Sequence, residues 1–191
     1  MTEKAGGTFV ALFSGINVGG NRIVKMAELR AFFEDLGFSD VATYVQSGNV
    51  VFYAAKGDAA SLQRDLEAAF ERRWGFASRI MVCDGARLER LVAENPYPEV
   101  AAEHTKLHAY VLEREPTSGE IARLAERCTG PERFEVRGEV LYLHAPDGLG
   151  RSKFAGALPR TLNVPGTARN WRTVLALLEM VRKASSAAPA P

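Results

Sequence analysis

Two segments in the first half of the chain recur as similar apolar patterns in the second half, and this repeat is the feature that most restricts the fold. The sequence Gly-Asn-Val-Val-Phe-Tyr, which starts at Gly48, resembles Gly-Glu-Val-Leu-Tyr-Leu, which starts at Gly138. Asp84 and the apolar residues at positions 88, 91 and 92 likewise resemble Asn170 and the apolar residues at 174, 177 and 178. We therefore interpret the chain as two copies of one structural unit.

Each half contains the same succession of patterns. Short runs of β-branched and aromatic residues predict strands, and apolar residues spaced three or four apart predict helices. In the first half these segments are a buried strand at 8–13, a helix at 26–36 ended by Gly37, a hairpin at 41–46 and 50–53, a helix begun by Asp58 or Ser61, a strand at 79–83 and a helix begun by Asp84. Residues 1–7 are predicted to form a loose arm.

The second half repeats this order after a connection at 95–106 that contains two prolines. Its segments are a strand at 107–112, a helix at 121–128, a hairpin at 134–136 and 140–143, a helix at 151–162 that contains Pro159, a short polar segment at 167–170 in the place of the last strand, and a helix begun by Asn170. The predicted domains are therefore 8–94 and 107–183. Residues 184–191 have nothing to bury and are predicted to be disordered.

The order β-α-β-β-α-β-α in each half determines the predicted fold class. It is the ferredoxin-like, or split βαβ, order with one helix added, and right-handed crossovers leave few other ways to fold it. We predict an α+β protein made of two ferredoxin-like halves, packed as a two-lobed protein.

The charge balance limits the range of partners. The chain has 24 basic and 23 acidic side chains, so its net charge is +1. A charge this small creates no general attraction to nucleic acid or to anionic lipid. We expect no strong binding to generic duplex nucleic acid, no membrane binding and a cytoplasmic location; nothing in the sequence specifies an oligomeric state.

The glycine-rich turn after the first strand fits neither of the best-known phosphate loops. Gly15 and Gly20 have the spacing of a Walker loop, but Asn21 and Arg22 follow where that loop needs Lys and then Ser or Thr. The dinucleotide pattern G-x-G-x-x-G fails because three residues separate Gly15 from Gly19. The simpler explanation of these glycines is a wide turn between strand and helix, since turns account for most glycine clusters.

Four polar loop segments resemble those of a known family. They are Gly-Ile-Asn-Val-Gly-Gly at 15–20, Gln-Ser-Gly-Asn-Val at 46–50, Arg-Ser-Lys at 151–153, and Arg-Asn-Trp at 169–171 with Thr-Val at 173–174. In these segments, and over residues 9–180, the chain resembles the bacterial family catalogued as domain of unknown function 1697. The resemblance implies an α+β fold with ferredoxin-like parts, and it implies no established activity. The chain departs from the family pattern at Ser14, where members usually have Arg, and at Phe154-Ala155, where they usually have Leu-Thr.

If these polar segments converge, their chemistry suits an anion such as phosphate or carboxylate. Basic side chains would supply charge, amides and hydroxyls would supply directional hydrogen bonds, and the helix beginning at Asn170 would supply its positive end. The predicted ligand-binding residues are Asn17, Lys25, Gln46, Ser47, Asn49, Arg151, Ser152, Lys153, Arg169 and Asn170. We expect Lys153 and Arg169 to be exposed and to serve one anion. The alternative is that Asn17, Ser47 and Asn170 only form turns and helix caps.

Catalysis and metal binding have weaker support in the sequence. Ser14, Ser47 and Ser152 have no evident base beside them. His104 and His108 have the spacing of zinc ligands on a helix, but His108 starts a predicted strand and a third ligand is missing. We predict no metal and no cofactor, and two free cysteines. The ligand would be a phosphate-bearing small molecule or a nucleic-acid end, bound at the junction of the two lobes; the alternatives are an enzyme acting on a phosphorylated substrate and a protein–protein adaptor without a ligand.

Overall fold

A computed structural model describes residues 5–187 of the chain. The described strands are β1 (Ala5–Phe13), β2 (Ser39–Tyr44), β3 (Asn49–Lys56), β4 (Ile80–Asp84), β5 (Leu107–Leu112), β6 (Arg133–Arg137), β7 (Val140–His144) and β8 (Gly166–Asn170). The described α-helices are α1 (Met26–Asp35), α2 (Ala59–Trp74), α3 (Gly85–Ala93), α4 (Ser118–Arg127), α5 (Lys153–Leu162) and α6 (Trp171–Ala187). Two short 3-10 helices lie at Pro98–Val100 and Leu149–Arg151.

The strands form two four-stranded antiparallel sheets with the same topology. The first sheet has the order β2-β3-β1-β4 and the second has the order β6-β7-β5-β8. In each sheet the first and third strands of the half lie in the centre, as the split βαβ arrangement requires. The α+β fold with two ferredoxin-like halves, predicted from the repeat, is confirmed.

The chain divides into two compact units, and the division lies inside two helices. Unit 1 consists of the described residues up to Glu89 together with those from Ala176 on, and unit 2 is Arg90–Leu175. The boundaries therefore fall within α3 and α6 rather than in the predicted connection at 95–106. The sequence pattern assigned each helix whole to the half that precedes it, because periodicity cannot show where along a helix its packing partners change.

Unit 1 has an aromatic core between its sheet and helices α1 and α2. Phe13 of β1 and Phe52 of β3 are almost fully buried, as are Phe33 of α1 and Phe70 of α2. The rings of Phe33 and Phe52 lie 5.0 Å apart, and those of Phe13 and Phe70 lie 5.2 Å apart. Such tilted pairs stabilise a core beyond the burial of their area. This packing holds the ends of β1 and β3, from which the polar loops of unit 1 begin.

The outer edge of β4 is covered by side chains of α2. The backbone N–H of Ile80 donates to Oε1 of Glu67 at 2.9 Å, and the N–H of Val82 donates to Oε1 of Gln63 at 3.4 Å. β4 is the last strand of its sheet, so these amides have no neighbouring strand to bind. The helix thus satisfies hydrogen-bond donors that an edge strand otherwise leaves open.

Unit 2 has a core that is richer in leucine than that of unit 1, between its sheet and helices α4 and α5. The apolar side chains on one face of the sheet meet those of the two helices: Tyr110, Leu112, Leu141 and Leu143 from the strands, Leu124 from α4, and Phe154, Leu158 and Leu162 from α5. Pro159 lies inside α5 and does not end it. The start of α5 is therefore anchored in the core of unit 2 through Phe154.

The N-terminus of helix α4 is held by a capping box whose carboxylate also forms an ion pair. Thr117 and Glu120 form a reciprocal capping box, and Arg114 donates to both carboxylate oxygens of Glu120, at 2.9 and 2.7 Å. The hydrogen bonds from Arg114 and from Thr117 lower the pKa of Glu120 to about 2. The Glu120 side chain is 9% exposed, so this network belongs to the folded state.

Replacing Glu120 with glutamine should change the acid dependence of stability. A carboxyl whose pKa is lower in the folded state stabilises the fold fully above its unfolded pKa of about 4.3 and loses that effect as the pH falls toward the folded value. In urea unfolding, the free energy of unfolding of the wild type should exceed that of Glu120→Gln by a constant amount above about pH 5.5, given that unfolded pKa. This difference should shrink toward pH 2. A difference that stays constant down to pH 2 would contradict the low pKa of Glu120.

Several predicted boundaries were wrong. The helix predicted at 121–128 begins at Ser118, and the strand predicted at 41–46 is β2 at Ser39–Tyr44. β1 begins at Ala5 and pairs with β3 from there, so residues 5–7 are not a loose arm. The helix predicted at 151–162 begins at Lys153, because Ser152 is its N-cap. α6 continues to Ala187, so residues 184–187 are helical; the rest of the predicted disordered tail lies outside the described residues.

Among residues 5–187, no helix has both the length and the apolar character to cross a membrane.

Candidate anion-binding site

Asn17 connects the glycine-rich loop of unit 1 to the β2–β3 turn. Its Oδ1 accepts from the N–H of Val24 at 2.8 Å, and its Nδ2 donates to the carbonyls of Val24 at 2.9 Å and Gln46 at 2.8 Å. Asn17 has a φ of 56°, a left-handed conformation that asparagine tolerates better than most residues. The structure thus brings the first two polar segments together within unit 1, and the Asn17 side chain is occupied in holding them.

The Gln-Ser-Gly-Asn segment also has a structural role. Asn49 is 0% exposed, and its Nδ2 donates to the carbonyl of Tyr44 and to Oγ of Ser47, both at 2.9 Å. The carbonyl of Gly48 accepts from the N–H of Phe13 at 2.8 Å, which joins the turn to the end of β1. Asn49 is therefore a buried residue at the start of β3 whose side chain holds the turn, and its predicted ligand role would require the turn to open.

The other predicted residues of unit 1 are at the surface. Gln46 and Ser47 are exposed in the turn. Lys25 precedes α1, its side chain is 76% exposed, and its Nζ lies 3.4 Å from Glu28. These three side chains are accessible, and their ligand role stays a prediction.

Unit 2 contains a pocket of about 410 Å³ at the N-terminus of α5. We call it the α5 pocket. Its lining residues come from the end of α4 and the following loop, from the loop after β7, and from the start of α5, at positions 127, 129–132, 145, 147, 148 and 151–154. The predicted residues Arg151, Ser152 and Lys153 are among them. Its volume lies in the range of pockets that bind small molecules.

Ser152 sits at the junction of the helix and the pocket. Its Oγ accepts from the N–H of Ala155 at 2.9 Å, the bond of an N-cap residue, and its hydroxyl donates to a carboxylate oxygen of Glu132. The first backbone N–H groups of any helix lack intrahelical acceptors and form its partial positive end. The serine therefore begins α5 and fixes Glu132 beside that positive end.

Three cations line the α5 pocket: Arg127, Arg151 and Lys153. All three are exposed residues. Within residues 5–187, no carboxylate lies within ion-pairing distance of any of them. Their charge is thus available to an incoming anion, and the positive end of α5 adds to it.

Arg169 lies elsewhere in unit 2. It pairs with Ala109 across the sheet, whereas its neighbour Ala168 pairs with Tyr110 and packs in the core beneath α4 and α5. Because side chains alternate along a strand, Arg169 projects from the sheet face opposite to α5. The structure does not bring Arg169 and Lys153 together.

Arg169 is also buried, which corrects the expectation that it is exposed. Its side chain is 8% exposed, and one guanidinium nitrogen donates to Oγ1 of Thr167 and to the carbonyl of Ala168, both at 2.8 Å. Burial lowers the pKa of Arg169 to about 10. The neighbouring Asn170 accepts from the N–H of Thr173 at 2.9 Å, so its predicted role as the cap of α6 is confirmed.

Sequence reasoning missed the three other charged residues of the α5 pocket: Arg127, Glu132 and Asp147. They belong to the end of α4, the loop before β6 and the loop after β7. No motif links them in the sequence, since only the folded sheet brings these loops beside α5. The one usable signal was the short distance along the chain from Asp147 to the Arg-Ser-Lys segment.

The histidines do not form a recognisable metal site. His108 is buried on β5, and burial lowers its pKa, whereas the backbone carbonyl of His104 accepts from the N–H of Trp171. In the part of the chain that the structure describes, no three His, Cys, Asp or Glu side chains lie close enough together to hold a metal ion. The spacing of His104 and His108 therefore reflects a loop followed by a strand rather than one helix face.

Comparisons with known proteins agree with this architecture. The model of a family described as "Protein of unknown function (DUF1697)" matches residues 7–142. The chain is also similar to a solved structure, "The structure of conserved bacterial protein SP0830 from Streptococcus pneumoniae", with a TM-score of 0.70 and 22% sequence identity over 93% of this chain and 99% of that chain. At this identity the likeness shows the fold alone. No curated protein matches the chain.

Proposed function

The chain belongs to the DUF1697 family of proteins of unknown function, and we propose that it binds a phosphate-bearing small molecule in the α5 pocket. The observation that carries this proposal is the set of three cations, Arg127, Arg151 and Lys153, around one pocket of about 410 Å³. A phosphate presents several acceptor oxygens, which suit guanidinium and ammonium donors and the N–H groups at a helix N-terminus.

Binding is better supported than catalysis at Ser152. A serine hydroxyl that donates to a carboxylate has the arrangement of a nucleophile beside its base, and Glu132 does accept from the Ser152 hydroxyl. The same oxygen, however, accepts the N–H of Ala155 as the cap of α5. An attack by this oxygen would give up the cap, so the geometry favours a structural serine in a binding site.

The proposal is tested by titrating the protein with inorganic phosphate, a hexose 6-phosphate and a 5′-phosphorylated oligonucleotide in a calorimeter. Lys153→Ala and Arg151→Ala should each weaken binding of the phosphate ligands by about tenfold, since each removes a charge-assisted hydrogen bond of about 1.5 kcal/mol. Arg160→Ala is the matched control, because Arg160 is an exposed arginine in the last turn of α5 and does not line the pocket.

Three outcomes would overturn the proposal. The first is that none of these phosphate compounds binds. The second is that Lys153→Ala and Arg151→Ala bind as tightly as Arg160→Ala does. The third is that the oligonucleotide binds at least about tenfold, or 1.4 kcal/mol, more tightly than either small compound, which would favour a nucleic-acid end.

A further inference from the structure

Two carboxylates, Glu132 and Asp147, line the α5 pocket together with the three cations. We infer that the ligand of this pocket is a phosphorylated polyhydroxy compound, such as a sugar phosphate, whose hydroxyl groups bind these carboxylates. The inference rests on the proposed function and adds the chemical class of the part of the ligand that is not phosphate.

Glu132 is held in place in the pocket rather than free to turn away. One of its carboxylate oxygens accepts from the Ser152 hydroxyl. The other lies so close over Gly130 that a Cβ at residue 130 would overlap it. The serine bond thus holds the carboxylate at the N-terminus of α5, and the glycine leaves the space that the carboxylate occupies.

A fixed carboxylate is unfavourable for a site that binds phosphate alone. An ionised carboxylate only accepts hydrogen bonds, and it repels the phosphate oxygens. A ligand hydroxyl reverses this effect because it donates to the carboxylate, and carboxylates can each accept several such bonds. The volume points the same way: a pocket of about 410 Å³ is as large as those that hold small organic ligands.

The charge of the pocket favours hydroxyl groups over an ammonium group as the donors. Three cations and two carboxylates leave the lining residues with an excess of positive charge. An ammonium group would enter a lining whose net charge is positive and would be opposed by it, whereas a neutral hydroxyl would not. Phosphorylated polyols and sugars carry both features that the pocket requires, an anion and several neutral donors.

The experiment measures the dissociation constants of inorganic phosphate, a hexose 6-phosphate and phosphoethanolamine for four proteins. These are the wild type, Glu132→Gln, Asp147→Asn and the control Glu126→Gln, whose residue is exposed on α4 outside the pocket lining. Asp147→Asn keeps the Ser152 cap intact, so it tests the inference even if Glu132→Gln is poorly folded.

The wild type should bind the hexose phosphate about tenfold more tightly than inorganic phosphate, the difference expected of one hydrogen bond to a charged group. Glu132→Gln and Asp147→Asn should each lower the ratio of the dissociation constant of inorganic phosphate to that of the hexose phosphate by about threefold or more. Both variants should also bind inorganic phosphate more tightly than the wild type does, because each removes a negative charge. Glu126→Gln should leave the ratio unchanged.

Each contrary result has a distinct meaning. A wild-type ratio near one, or a ratio that neither pocket variant changes, would overturn the inference while the proposed phosphate site stands. Tighter binding of phosphoethanolamine than of the hexose phosphate would overturn it in favour of an amine. Failure of every phosphate compound to bind the wild type would overturn the proposed function as well.

Discussion

Replacing Gly48 with alanine should lower the free energy of unfolding by about 3 kcal/mol or more, since a left-handed backbone and a steric clash act together. Gly48 has a φ of 71°. A Cβ at this position would lie 2.5 Å from Cδ1 of Ile16 and 2.7 Å from Cβ of Phe13. Phe13 is the last residue of a central strand, so its Cβ cannot move without moving β1.

The repeat supplies a matched control for this prediction. Gly138 occupies the equivalent turn between β6 and β7 with a φ of 55°, and no described heavy atom lies within 4 Å of its Cβ position. Gly138→Ala should therefore cost only the left-handed conformation, about 1 kcal/mol. Urea unfolding of both variants measures the difference, and equal losses would show that the contacts with Ile16 and Phe13 relax freely.

Replacing Asn17 with alanine should lower the free energy of unfolding by about 4 kcal/mol, since three hydrogen bonds are worth about 1 kcal/mol each and a left-handed alanine costs about 1 kcal/mol more. The variant loses the bonds to both backbone groups of Val24 and to the carbonyl of Gln46. It also places an alanine at a φ of 56°. Asn17→Gly loses the same bonds without the conformational strain, so it should be about 1 kcal/mol more stable than Asn17→Ala.

The same variants test the predicted ligand role of Asn17. If Asn17 only holds the two loops of unit 1 together, the folded fraction of Asn17→Gly should bind a hexose 6-phosphate with the wild-type dissociation constant. Thermal unfolding followed by calorimetry on the folded protein separates the two effects. A variant with wild-type stability and weakened binding would show that the side chain contacts the ligand instead.

The order of strands and helices could be predicted because most elements have a regular apolar pattern. β8 was the exception, since its two buried positions, Thr167 and Arg169, are both polar. Charged residues are usually exposed, so Arg169 was expected at the surface. Only the pairing of β8 with β5 shows that this side chain faces a buried side of the sheet.

The candidate site could be predicted only in part. Arg151, Ser152 and Lys153 are adjacent in the chain, and the family resemblance drew attention to them. Glu132 carries no such signal, because its position in the pocket depends on the Ser152 bond and on the glycine at 130. The inferred preference for a sugar phosphate over inorganic phosphate therefore depends on a carboxylate that only the folded chain brings into the pocket.

The hydrogen bonds from β4 to α2 also bear on how another protein could bind to unit 1. A peptide that joins a sheet by β-augmentation pairs with the free backbone N–H and C=O groups of an edge strand. At β4 the N–H groups of Ile80 and Val82 already donate to Glu67 and Gln63. An incoming strand would have to displace both side chains before these N–H groups could donate to it. Helix α2 therefore disfavours strand exchange and fibre-like growth at this edge, and an adaptor that recruits partners by adding a strand would compete with α2 for these donors.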